Sequence, residues 1–102
     1  MTEKIEANYD ELERLSSVFM QECDRVQDML NTVKNAMGNL QIGGWMGRGA
    51  DAFYAEMNDE IVPATIRLQE ALEEGSRITD QIIVTMQQAE EEAGNQFKTY
   101  RL

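Results

Sequence analysis

Residues 5–40 are tied to one structure by an unbroken alternation of three- and four-residue steps. Apolar side chains recur at Ile5, Tyr9, Leu12, Phe19, Cys23, Val26, Leu30, Val33, Met37 and Leu40, with Ser16 the one polar residue in the series. A mean period of about 3.5 residues belongs to a helix that presents one seam to a neighbouring helix along its whole length. Leu15, Met20 and Met29 widen that stripe, which points past a two-stranded seam towards a bundle. Gly38-Asn39 is the expected stop, so the first helix is placed at about 3–39.

Next comes Gly43-Gly44-Trp45-Met46-Gly47, three glycines around the only tryptophan. Glycines mark sharp backbone changes, and an indole at such a bend is a large amphipathic anchor. A turn over about 40–49 therefore leads into a second helix at about 50–98. That helix carries the stripe Phe53, Met57, Ile61, Ala64, Leu68, Leu72, Gly75, Thr79, Ile82, Met86, Ala89, Ala93, Phe97 and Tyr100. Pro63 lies within the stripe, lacks an amide donor and crowds the carbonyl four residues back, so a kink near Asp59–Pro63 is expected. Gly75 in mid-helix suggests a close approach of the two helices.

The fold class is thus all-α, a single antiparallel helix-turn-helix hairpin. Two long helices side by side enclose no core, since a residue between them stays half exposed. The pattern therefore implies a partner, and two hairpins together make a dimeric four-helix bundle. Leu12, Phe19, Val26, Leu30, Val33, Leu68 and Ile82 are assigned to the hairpin or dimer seam.

Composition narrows the function. Nineteen acidic residues against nine basic ones give a formal charge of −10, spread over both halves. Such a surface repels phosphate backbones and anionic lipid. Nucleic acid is not expected as a partner, nor is membrane insertion, because no apolar run approaches the length needed to cross a bilayer. No basic flank followed by an apolar stretch opens the chain, so no cleaved leader is expected. Cys23 is alone, which precludes an internal disulfide, and its place on the seam suits a buried small hydrophobe. With no histidine the usual general base is missing. Adjacent carboxylates such as Asp59-Glu60 point to different sides of a helix. No metal site, cofactor or enzymatic activity is expected.

A helix, a short turn with Trp45-Met46-Gly47 and a second helix entered through Ala50 and Phe53 resemble the WXG family over the whole chain. These are the early-secreted-antigen-like substrates of type VII secretion systems. The resemblance implies a secretion ATPase as a partner, with Trp45 and Gly47 as the turn motif it recognises. It also implies export by a leaderless route to the medium or the cell surface, after a cytoplasmic stage. The product would act as a secreted effector or as an export partner. The family's tail signal Tyr-x-x-x-Asp/Glu is absent, because only Arg101 and Leu102 follow Tyr100. A second family form, hydrophobic-x-x-x-acidic-x-x-hydrophobic-x-x-x-hydrophobic, is similar to Met86, Glu90, Ala93 and Phe97. Those residues also share one helical face, as in any amphipathic acidic helix. With turn and tail on one chain, the resemblance favours an antiparallel homodimer over pairing with a paralogous WXG-like chain. The alternative function is an intracellular helical adaptor or chaperone that pairs with a larger helical partner.

Overall fold

A computed structural model of the chain describes the backbone of residues 2–101 and the side chains of residue 6 and residues 8–96. Helix α1 spans Thr2–Ile42, α2 spans Arg48–Glu56, a π-helical turn covers Met57–Ile61, and α3 spans Val62–Arg101. Helices α1 and α3 pack antiparallel as a hairpin 82 Å long and 20 × 16 Å in cross-section.

Helix α1 runs through Gly38, where a stop was expected. A β-carbon at Gly38 would meet nothing within 4 Å, so the residue neither ends the helix nor admits a neighbour. The stop comes at Gly44, whose φ of 81° is left-handed. The Gly44 amide donates to the Gln41 carbonyl (3.1 Å) and the Trp45 amide to the Leu40 carbonyl (3.1 Å). This paired arrangement is a Schellman motif, which satisfies carbonyls that a helix end leaves free.

The expected kink is instead a widened turn. The Val62 amide reaches back five residues to the Met57 carbonyl. In a regular α-helix the Pro63 ring would press on the Asp59 carbonyl. Admitting one extra residue to the turn moves that carbonyl aside, and the chain stays helical throughout.

Along α1 the expected seam is present in the hairpin: Ser16, Cys23, Leu30 and Met37 are buried at every seventh residue, and Leu12, Phe19, Val26 and Val33 are half-buried. Leu40, expected to continue it, is exposed. The α3 seam keeps Leu72, Thr79 and Met86 of the expected stripe and differs from it elsewhere. It runs Val62, Thr65, Gln69, Leu72, Ser76, Thr79, Ile83 and Met86, all buried or half-buried. Leu68 and Ile82 do not enter it, being 49% and 45% exposed. Their successors Gln69 and Ile83 take the inward positions, because the π turn advances the phase by one residue. Ile61 and Ala64 yield to Val62 and Thr65 in the same way.

The interior so formed is apolar with polar residues set into it, Ser16, Ser76 and Thr79 being buried. Ser16 Oγ donates to Asp80 Oδ1 at 2.6 Å and lies 2.8 Å from the Ser76 hydroxyl. The Cys23 thiol points at the Gln69 carbonyl (3.6 Å), and Gln69 Nε2 donates to Gln27 Oε1 at 2.6 Å. Gly75 is the close approach that the sequence suggested. A β-carbon there would sit 2.8–2.9 Å from the Phe19 ring, so that ring lies directly over the glycine.

Candidate functional site

Two features stand out: the aromatic turn at one end and an apolar side along the hairpin. At the turn, Gly47 has φ 117° and ψ −179°, a region open almost only to glycine. Its carbonyl accepts the Asp51 amide (3.0 Å) and so starts α2. The glycine of Trp45-Met46-Gly47 is therefore needed for its backbone. Ala50, 2% exposed, is the tight point where α2 packs, and a larger side chain would push the turn away.

Trp45 folds back onto α2. Its ring centroid lies 5.4 Å from Phe53 and 5.5 Å from Tyr54, and the last two are 5.7 Å apart, all tilted or edge-on. This geometry suits the aromatic quadrupole. The indole is nonetheless 42% exposed, with Ile42 and Met46 beside it almost fully so. Trp45 thus packs by one face and presents the other. Tyr54 was not singled out from the sequence; the readable signal was an aromatic pair following the tryptophan by two helical turns.

The apolar side follows from helical geometry. Residues one position ahead of the seam fall on the same flank of both helices when the helices run antiparallel. On α1 these include Leu15 and Met29, and on α3 Ile61, Leu68 and Ile82, all exposed. Val18 and Ile78 lie farther round on that flank, also exposed. At its far end Leu12, Leu15 and Met86 line an open groove with Asn8 and Glu11. The opposite flank is the more charged, with a shallow groove lined by Glu70, Glu73, Glu74, Arg77 and Asp80 around Met20, although Ile66 and Val84 are exposed on it.

Of the tail motif, Met86 is half-buried in the apolar groove while Glu90 and Ala93 are exposed. Phe97 lies outside the described side chains. Burial, and then the adjacent Glu90 carboxylate, push the Tyr9 phenol above its usual range. The tail and the Trp45 turn occupy opposite ends of the 82 Å hairpin, so one chain does not bring them together.

Cys23 is buried, and its thiol is pushed up by burial, then by Glu73 and Asp24, which disfavours the reactive thiolate. Among the described residues no group of three His, Cys, Asp or Glu side chains is placed to hold a metal ion. Nor, among the described residues, is any helix long and apolar enough to cross a membrane.

A glycine-framed Trp-x-Gly turn between two long amphipathic helices defines a class of small helical-hairpin proteins. The family described as proteins of 100 residues with WXG matches residues 4–91, and the chain belongs to it. It is a family of small secreted, non-enzymatic proteins. Neither a curated protein nor a solved structure matches the chain.

Proposed function

We propose that this protein is a type VII secretion substrate exported as a folded antiparallel homodimer, and that the dimer forms through the apolar side. The observation that carries this reading is the asymmetry of the hairpin. Its interior holds the buried polar residues Ser16, Ser76 and Thr79, while Leu15, Met29, Ile61, Leu68 and Ile82 stand exposed along one flank. The chain exposes 8008 Å², whereas a compact protein of 11.6 kDa exposes about 5,800 Å². The excess, about 2,200 Å², is of the size that permanent homodimers bury.

Antiparallel packing is favoured by charge. A parallel pair would set Glu90-Glu91-Glu92 of one copy beside the same residues of the other. The antiparallel pair separates them and brings each Trp45 turn towards the partner's tail. There the half-exposed indole and the Met86, Glu90, Ala93 and Phe97 face would form one composite surface for a secretion ATPase. Once outside, the dimer serves as an effector or helps a larger substrate through.

Deleting residues 86–102 tests the export role. The truncated chain is expected to stay helical and dimeric in the cell fraction while vanishing from the medium. Undiminished export would remove the tail from the signal. A chain never found outside the cell, with its tail intact, would favour the adaptor reading.

A further inference from the structure

The π turn at Met57–Ile61 does more than accommodate a proline. An α-helix continued from Met57 would bring Ile61, Leu68, Gly75 and Ile82 to the seam, because each added residue turns the helix by about 100°. With five residues in the turn instead of four, Val62, Gln69, Ser76 and Ile83 occupy those places. The same forty residues of α3 therefore have two possible phases against α1. One buries Ile61, Leu68 and Ile82 inside the hairpin and leaves Val62, Gln69 and Ile83 in water. The other, the one observed, does the reverse.

We propose that the π turn, held by Pro63, is a phase device that turns Ile61, Leu68 and Ile82 outward and so makes the hairpin dependent on a second copy. The proposal rests on the dimer reading above for its consequence, though not for its mechanism. Three observations support it. The Val62 amide bonds to the Met57 carbonyl, five residues back, immediately before a proline that disfavours the regular turn. Polar partners are in place for the observed phase: Ser16 with Ser76 and Asp80, and Gln27 with Gln69. Finally, each phase brings four large apolar residues to the seam, Val62, Leu72, Ile83 and Met86 in the one observed and Ile61, Leu68, Ile78 and Ile82 in the other, so hydrophobic burial within one chain does not choose between them. Two packings of one sequence that differ by a few kcal/mol are the basis of a two-state element.

The experiment separates phase from assembly. Cys23 reports phase, since its sulphur lies 3.6 Å from the Gln69 carbonyl. In the native background, Gln69→Cys should form a disulfide with Cys23 under mild oxidation much faster than Leu68→Cys does. Pro63→Ala removes the obstacle to a regular turn; the preference should then reverse, and the dimer dissociation constant should rise at least tenfold. Deleting Asn58, an exposed residue of the turn, from the Pro63→Ala chain leaves four residues where α-geometry needs four. Both the native cross-linking preference and the dimer should return. If Pro63→Ala leaves the cross-linking preference unchanged, the device is overturned. A reversed preference in a chain whose native form is already a monomer of 11.6 kDa supports the device and sinks the dimer reading alone.

Discussion

The two flanks of the hairpin carry opposite instructions. On one, Asp80, Gln27 and Gln69 tie α1 to α3 through side-chain hydrogen bonds, and Glu70, Glu73 and Glu74 face water. On the other, Leu15, Met29, Ile61, Leu68 and Ile82 stand exposed without such ties. Hydrogen bonds fix which residue faces which but add little net stability, whereas apolar area adds stability without direction. The polar flank therefore sets the register of the hairpin, and the apolar flank supplies the energy, which is realised only on association.

The largest effect should come from charging the apolar flank. Leu68→Glu with Ile82→Glu forfeits ~1.5–3 kcal/mol of burial per side chain, counted twice in a symmetric dimer. Sedimentation should then give 11.6 kDa. Gln87→Glu adds charge on the polar flank and should leave the dimer intact. Equal effects from the two would erase the distinction between the flanks.

Ser16→Ala probes the polar flank. It removes the hydroxyl shared by Asp80 and Ser76, and Asp80 is exposed enough to regain water. The expected loss is about 1–2 kcal/mol, read from urea denaturation. A stabilised Ser16→Ala chain would mean that the network opposes folding.

How much of this was readable in the residues differs between the helices. The α1 seam from Leu12 to Met37 is visible because nothing interrupts its period. On α3 the period is less regular, with consecutive four-residue steps such as Ala64–Leu68–Leu72, and one extra residue in the π turn shifts the inward face. The only trace of that shift is Pro63, which signals trouble without saying whether the helix bends, breaks or widens. Hydrophobicity then misleads, since Leu68 and Ile82 are better seam candidates by composition than Gln69. Ser16 was the exception in its series, and its partners Ser76 and Asp80 lie 60 and 64 residues away. Gly38-Asn39 reads in the sequence as the end of the first helix, yet α1 continues to Ile42. A glycine is tolerated inside a well-packed helix, and only the left-handed φ at Gly44 ends it.

Gly75→Ala sharpens the account of where the helices meet. Alanine gains ~1 kcal/mol of helix propensity over glycine, against a β-carbon placed 2.8 Å from the Phe19 ring. In the native background the two should nearly cancel, because that ring is half-buried and has room to move. In a Phe19→Leu background the clash is relieved, and the alanine should stabilise by about 1 kcal/mol. Additive effects in that double-mutant cycle would place the ring elsewhere.

The smallest expected effect is on alkaline stability. Tyr9 and Cys23 are neutral when protonated, and burial, followed by nearby carboxylates, pushes both above their usual ranges in the fold. The unfolded chain therefore loses these protons first. The stability they support is complete below their unfolded pKa values, about 8.5 for a thiol and about 10 for a phenol. It falls as pH rises through the higher folded values. Tyr9→Phe with Cys23→Ala removes both titrations, so its helical signal should persist to higher pH than that of the native chain. Comparing, for each chain, the change in unfolding free energy between neutral and alkaline pH removes the packing cost of the substitutions. An alkaline limb that did not move would mean that neither group is desolvated at the seam, and that water reaches the hairpin interior from the apolar flank.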